Sequence, residues 1–149
     1  MTITRSDPNT IWLGGPRTVI NDMGAKAAIT PGHLVERVNT AGVWQWQKHS
    51  TAAGAAQHAV AVDASMLNKG VDDDYAINDL VEVVEGTTGT NFWMLIASGQ
   101  NIAYGDNLES AGDGTLRAYA AGVKLFVALE TKANVTVQTR LHVEVHAGS

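Results

Sequence analysis

Two histidines and a carboxylate alternate in His142-Val143-Glu144-Val145-His146. On a strand, alternate side chains share a face, with backbones about 6.5–7 Å apart, so these three converge on a site of metal-ion size. The favoured reading is plainer: the solvated face of an edge strand, since a metal centre needs further ligands or a base that no other motif supplies. Asp72-Asp73-Asp74 with Asp79 offers the oxygens that Ca²⁺ prefers. No Gly-x5-Glu follows in register, so this reads as a solvated acidic loop. Gly112-Asp113-Gly114-Thr115 lacks the Lys-Ser/Thr of a phosphate loop, and Ser98-Gly99 lacks the context of a nucleophile elbow. His33, His49 and His58 have no Asp or Ser partner at a telling spacing, which leaves open a triad assembled in space. Trp44 and Trp46 present flat faces on which sugars or bases stack, but such a pair more commonly belongs to a core or an interface. No residue is assigned a catalytic, cofactor-binding or metal-binding role.

The elements that position these residues are strands. Val135, Val137, Thr139, Leu141, Val143 and Val145 alternate with Thr136, Gln138, Arg140, His142, Glu144 and His146. This predicts one long half-buried strand with the first set facing inward. Val123–Glu130 predicts a strand before it, with Lys132-Ala133-Asn134 as the turn. Leu34–Asn39 and Val43–Lys48, joined by Thr40-Ala41-Gly42, predict a hairpin that puts Trp44, Trp46 and Lys48 on one face. His58–Asp63 and Leu80–Glu85 read as strands, and Ser65–Lys69 as one helical turn closed by Gly70. Phe92–Ala97 is a short apolar run suited to a strand buried on both faces. Short strands and Gly-rich turns at this spacing predict an all-β fold with at most one short helix: a β-sandwich or small β-barrel, with no βαβ unit.

Residues 1–32 look different. They hold every proline of the chain, Pro8, Pro16 and Pro31, and keep no period for long. They predict an extended N-terminal arm with short strands such as Thr18-Val19-Ile20, ahead of a β-rich domain over 33–149. Ile11, Trp12 and Leu13 are poor residues to leave in water, so the arm packs on its own domain or on a neighbour. These three, with Trp44 and Trp46, are the candidates for a protein interface. On this reading the β-domain folds without residues 1–28.

The chain has 149 residues, enough for one domain, with 45% hydrophobic and 17% charged residues, which excludes a disordered chain. There is no cysteine, hence no disulfide, thiol nucleophile or thiolate metal site. No apolar run approaches the roughly 20 residues of a membrane helix, and the N-terminus lacks an apolar signal core. The net charge is −5 without a basic cluster, which argues against nucleic acid as a partner.

Ile29-Thr30-Pro31-Gly32-His33-Leu34-Val35-Glu36, then Lys48-His49-Ser50-Thr51 and an Ala-rich segment, resemble the capsid decoration proteins of tailed phages, also called cement or head-stabilising proteins. The resemblance continues through Tyr104-Gly105-Asp106-Asn107-Leu108-Glu109-Ser110-Ala111-Gly112-Asp113-Gly114-Thr115-Leu116. It closes with Val127-Ala128-Leu129-Glu130 and Arg140-Leu141-His142-Val143-Glu144-Val145. It covers about residues 29–146 and rests on the order of the pieces. The resemblance implies a structural virion protein that is not an enzyme and needs no cofactor. It implies synthesis in the host cytoplasm and a seat on the outer surface of the phage head. The partners would be the major capsid protein and other copies of itself, as a homotrimer, with a dimer or a monomer that trimerises on the capsid as the alternatives, and with neither nucleic acid nor membrane among them. Two other readings stand beside it. One is a carbohydrate- or receptor-binding β-module, which needs Trp44 and Trp46 exposed beside a polar groove. The other is a small metal-dependent enzyme built on His142, Glu144 and His146.

Overall fold

Leu141, Val143 and Val145 are buried, while Arg140, His142 and Glu144 between them are half-buried on the opposite face. This is the inward set that the alternation predicts. The strand is shorter than its pattern. It spans Thr139–Val145, and Val137, expected inside, is 67% exposed. The preceding chain is drawn sideways instead, with the Gly99 amide donating to Val135 and Lys132 bridged to Ile102. This computed structural model describes residues 7–133 and 135–146, so Asn134 of the expected turn lies outside the described residues.

Among the described residues the chain forms eleven strands and one 3-10 turn. The strands are β1 Trp12–Gly14, β2 Arg17–Ile20, β3 Val35–Thr40, β4 Val43–Lys48, β5 Ala59–Ala61 and β6 Val83–Gly86. They continue with β7 Asn91–Ile96, β8 Asn107–Ser110, β9 Leu116–Ala118, β10 Phe126–Ala128 and β11 Thr139–Val145. β7, β11, β10, β8 and β9 are hydrogen-bonded in that order, and β9 meets β7 again through Ile96 and Leu116. The sheet thereby closes into a five-stranded barrel, so the all-β expectation holds in its barrel form. Cross-strand partners such as Met94 with Leu141 and Phe92 with Val143 point inward together. Side chains fill the interior, as in other small barrels. β11 lies between β7 and β10; it is not the edge strand expected from its place near the C-terminus.

A second layer, β2-β6-β5, and the β3–β4 hairpin pack beside the barrel. β5 is buried throughout because it separates two cores. Its Val60 packs with the barrel core, while Ala59 and Ala61 face a smaller core with Trp46, Tyr75 and Val83. Alanine at two successive positions on that face leaves room for the large rings. The helical turn expected over Ser65–Lys69 is the 3-10 turn Ser65–Leu67, ended by Asn68 at φ +56° ahead of Gly70.

The described part of the N-terminal segment is extended chain stitched into this body. β1 pairs with β7, β2 pairs with β6 over four residues, and Gly24, Ala25 and Ile29 bridge Leu80, Trp46 and Tyr75. Ile11 is fully buried in the barrel core, and its carbonyl accepts from the Trp93 amide.

Candidate interaction surface

The hairpin turn sets the geometry of the tryptophans. Ala41 and Gly42 both take positive φ, +51° and +87°, the two-residue turn whose twist matches a hairpin. The Asn39 Oδ1 accepts from the Gly42 amide at 3.0 Å. Trp44, Trp46 and Lys48 share a face by alternation, yet their fates differ. Trp46 is fully buried in the smaller core, with the Arg37 guanidinium 4.9 Å from its ring centroid. Arg37 is paired with Glu85 at 3.0 Å and donates to Gln57. One step further out, Trp44 is 56% exposed. With Ile20, Met23, Asp22 and Arg37 it lines a concavity of about 340 Å³.

Of the five interface candidates, Ile11, just before β1, is buried in the barrel core and Trp46, within β4, in the smaller core. Trp12 and Leu13 are half-buried against the barrel core, with Arg17 stacked 4.1 Å from the Trp12 centroid. Trp44 alone of the five is exposed.

Several of the groups suspected from sequence are bonded within the fold. Among the described residues, no three His, Asp or Glu side chains cluster closely enough to hold a metal ion. His142 and Glu144 belong to a central strand, His146 follows its end, and all three are half-buried. The acidic run is dispersed: Asp72 pairs with Arg140 at 3.0 Å, Asp73 accepts from the Gly70 amide, and Asp79 accepts from the Ala76 amide. His49 does have a serine partner that spacing concealed, its Nδ1 lying 2.7 Å from Ser110 Oγ. The His49 Nε2 donates to the Ala55 carbonyl, which leaves Nδ1 to accept from the serine. Both residues are buried, and a carbonyl stands where a triad would have a carboxylate. His33 is buried, and its Nδ1 accepts from the Thr30 amide. Burial, reinforced by Lys48, lowers its pKa from 6.5 to about 4.

Two surface features carried no motif. The turn Ser65–Leu67 projects Met66, 93% exposed, beside an exposed Leu67. The loop 119–124 is shaped by Glu109, whose buried carboxylate accepts from the amides of Ala120, Ala121 and Gly122 and from Arg117. The Ala120 amide, with Arg117 and the other amides, holds its pKa near 2 against the cost of burial. Gly122 is packed so tightly there that a Cβ would lie 2.5 Å from the Ala53 carbonyl oxygen. Neither feature is legible in sequence, because one is a single exposed methionine and the other depends on partners eleven to thirteen residues apart.

No protein-family model and no curated protein matches the chain. Among solved structures, the fold is similar to the N base of the head fibre protein gp8.5 of bacteriophage phi29. The likeness has a TM-score of 0.58 at 14% identity and covers 88% of this chain and 95% of that one. At that identity the likeness is one of fold.

Proposed function

We propose that this chain is a structural protein of a tailed-phage virion, a decoration protein that binds the outer surface of the head and stabilises contacts between major capsid protein subunits. The observation that carries this reading is the fold shared, over nearly the whole of both chains, with the base of a phage head fibre. The ordered sequence pieces that resemble decoration proteins over residues 29–146 point the same way. A protein that bridges subunits needs a rigid body and exposed contact groups but no reaction centre. The internal bonding of His33, His49, Ser110 and Glu109 suits that role. Trp44 and its concavity are the contact group the hairpin offers to the shell. The protein acts without catalysis, and it associates as a homotrimer. A carbohydrate-binding module needs both Trp44 and Trp46 exposed, and Trp46 is in the core.

The test is co-sedimentation of the purified protein with expanded capsids that lack it. Saturable binding, together with a rise in the temperature at which the capsids come apart, supports the reading. Absence of binding to such capsids at tens of micromolar protein overturns it.

A further inference from the structure

The whole net charge of −5 resides in residues 63–82, which hold six carboxylates against Lys69 alone; the rest of the chain carries nine charges of each sign. The same stretch exposes Met66, Leu67 and Ile77. It is held in place by the Asp72–Arg140 pair and by the buried Tyr75, whose hydroxyl donates to the Val62 carbonyl. A second patch has the opposite character. Residues 114–129 contain no Asp or Glu; Arg117 there is paired with the buried Glu109 at 2.8 Å, and Lys124 supplies the positive charge. Tyr119 and Val123 are exposed there, with the Lys124 ammonium 5.2 Å from the Tyr119 ring centroid. Together they line a concavity of about 350 Å³ on the loop that Glu109 holds.

The two patches lie toward opposite ends of the barrel. Asp72 is tied to Arg140 at the start of β11. The Tyr119 amide donates to the Asn107 carbonyl, next to Leu108, and the register Leu108–Phe126–Val145 sets that level at the end of β11.

We propose that these patches are the two halves of a head-to-tail contact between copies of this chain, with the Met66 turn of one copy seated in the Tyr119–Val123–Lys124 concavity of the next. This rests on the threefold self-association proposed above and names its surfaces. A closed ring of three is built from heterologous contacts, so each copy must carry two different and mutually complementary patches. An acidic apolar projection and an apolar hollow with Lys124 in its lining supply that pair. Apolar groups occupy the centre, and opposite charges at the rim select the orientation. Both patches are anchored before contact, so little ordering cost opposes the association.

Sedimentation velocity on the full chain, free of capsids, tests this. The expected wild-type mass is three times the 15.7 kDa of one chain. Asp74→Lys and Lys124→Glu are each expected to reduce it to a single chain at the same concentration, and the double variant to restore the trimer. Raising salt to about 1 M is expected to weaken the wild-type trimer, because rim charges are screened. Melting curves within a few degrees of wild type establish that the variants fold. A wild-type chain that stays single, a trimer untouched by either reversal, or a double variant that fails to reassociate overturns the proposal. A single chain that still binds capsids overturns this contact alone. A trimer with the predicted charge dependence that never binds capsids sustains the contact and overturns the capsid reading.

Discussion

Ile11→Ala is expected to destabilise the protein severely, although position 11 looks like part of a dispensable arm. The side chain is fully buried among the barrel residues, its carbonyl accepts from the Trp93 amide, and its own amide donates to Asp63 at 2.9 Å. Truncation to alanine removes three buried carbons and leaves a cavity between two rigid layers. Changes of this kind cost about 2–5 kcal/mol. The chain is closed in on both sides there, by β7 and by the Asp63 bonds, so relaxation into the void is limited and a loss near 3 kcal/mol is expected. For a domain of this size, each kcal/mol moves the melting temperature by roughly 2–4 °C. The expected drop is therefore about 6–12 °C, read by circular dichroism or calorimetry with a matching fall in the urea midpoint. Deletion of residues 1–28 removes β1, β2 and the bridges of Gly24 and Ala25 together. It is expected to abolish cooperative melting, against the sequence expectation that the β-domain folds without them. A shift below about 2 °C for Ile11→Ala, or a truncated chain that still melts cooperatively, would refute this account of the N-terminal segment.

Other outcomes follow from the same packing. Trp46→Ala is expected to cost about 3–5 kcal/mol, and Trp44→Ala, on the exposed side of the hairpin, to stay within roughly 0.5 kcal/mol while weakening capsid binding; equal melting temperatures for the two would contradict the assigned depth of the hairpin. Leu141→Asp, which buries a charge without a partner inside the barrel, is expected to prevent folding, whereas the half-buried His142→Ala costs about 1 kcal/mol; a folded Leu141→Asp protein would mean that the register of β11 is off by one. The lowered pKa of His33 gives a pH dependence of definite sign. The unfolded chain takes up a proton near pH 6.5 and the folded one only near pH 4, so stability is level above 6.5 and falls by roughly 3 kcal/mol between 6.5 and 4. Urea midpoints across that window test this, and His33→Gln is expected to remove this part of the slope, leaving the part due to His58, whose pKa burial also lowers.

The elements legible in sequence were those set by short-range pattern. The hairpin at Ala41-Gly42, the fully buried run of β7 and the inward set of β11 follow from turn chemistry and from a period of two. What long-range contact decides was not legible. Val137 fits the alternation, yet it is turned outward because Gly99 and Ile102 hold the chain before it. Trp44 and Trp46 share a face, but only the position of the hairpin over the second layer decides that one is core and the other surface. The proline-punctuated start lacks a period because it is used one residue at a time: Ile11 in the barrel, Ala25 and Ile29 in the smaller core. Barrel closure itself rests on a single parallel contact between residues twenty positions apart.

The polar residues invite the same distinction between type and placement. Listed by type, five histidines, fifteen carboxylates and a buried serine describe an enzyme as readily as a scaffold. Placed in the fold, many of these groups are occupied by the chain itself. His49 and Ser110 close a loop onto Ala55, Glu109 holds the turn at 120–122, and Asp63 receives the amide of Ile11. Each bond serves a segment outside the strand ladders, where an unpaired buried donor would cost about 1–3 kcal/mol. A barrel of strands only three to seven residues long leaves many backbone groups outside its ladders, and side-chain acceptors are how this fold satisfies part of them. Groups committed in this way are held by the fold. The proposed contact groups, the exposed Met66 turn, the Tyr119 hollow and Trp44, are the places where substitution should change assembly before it changes the fold.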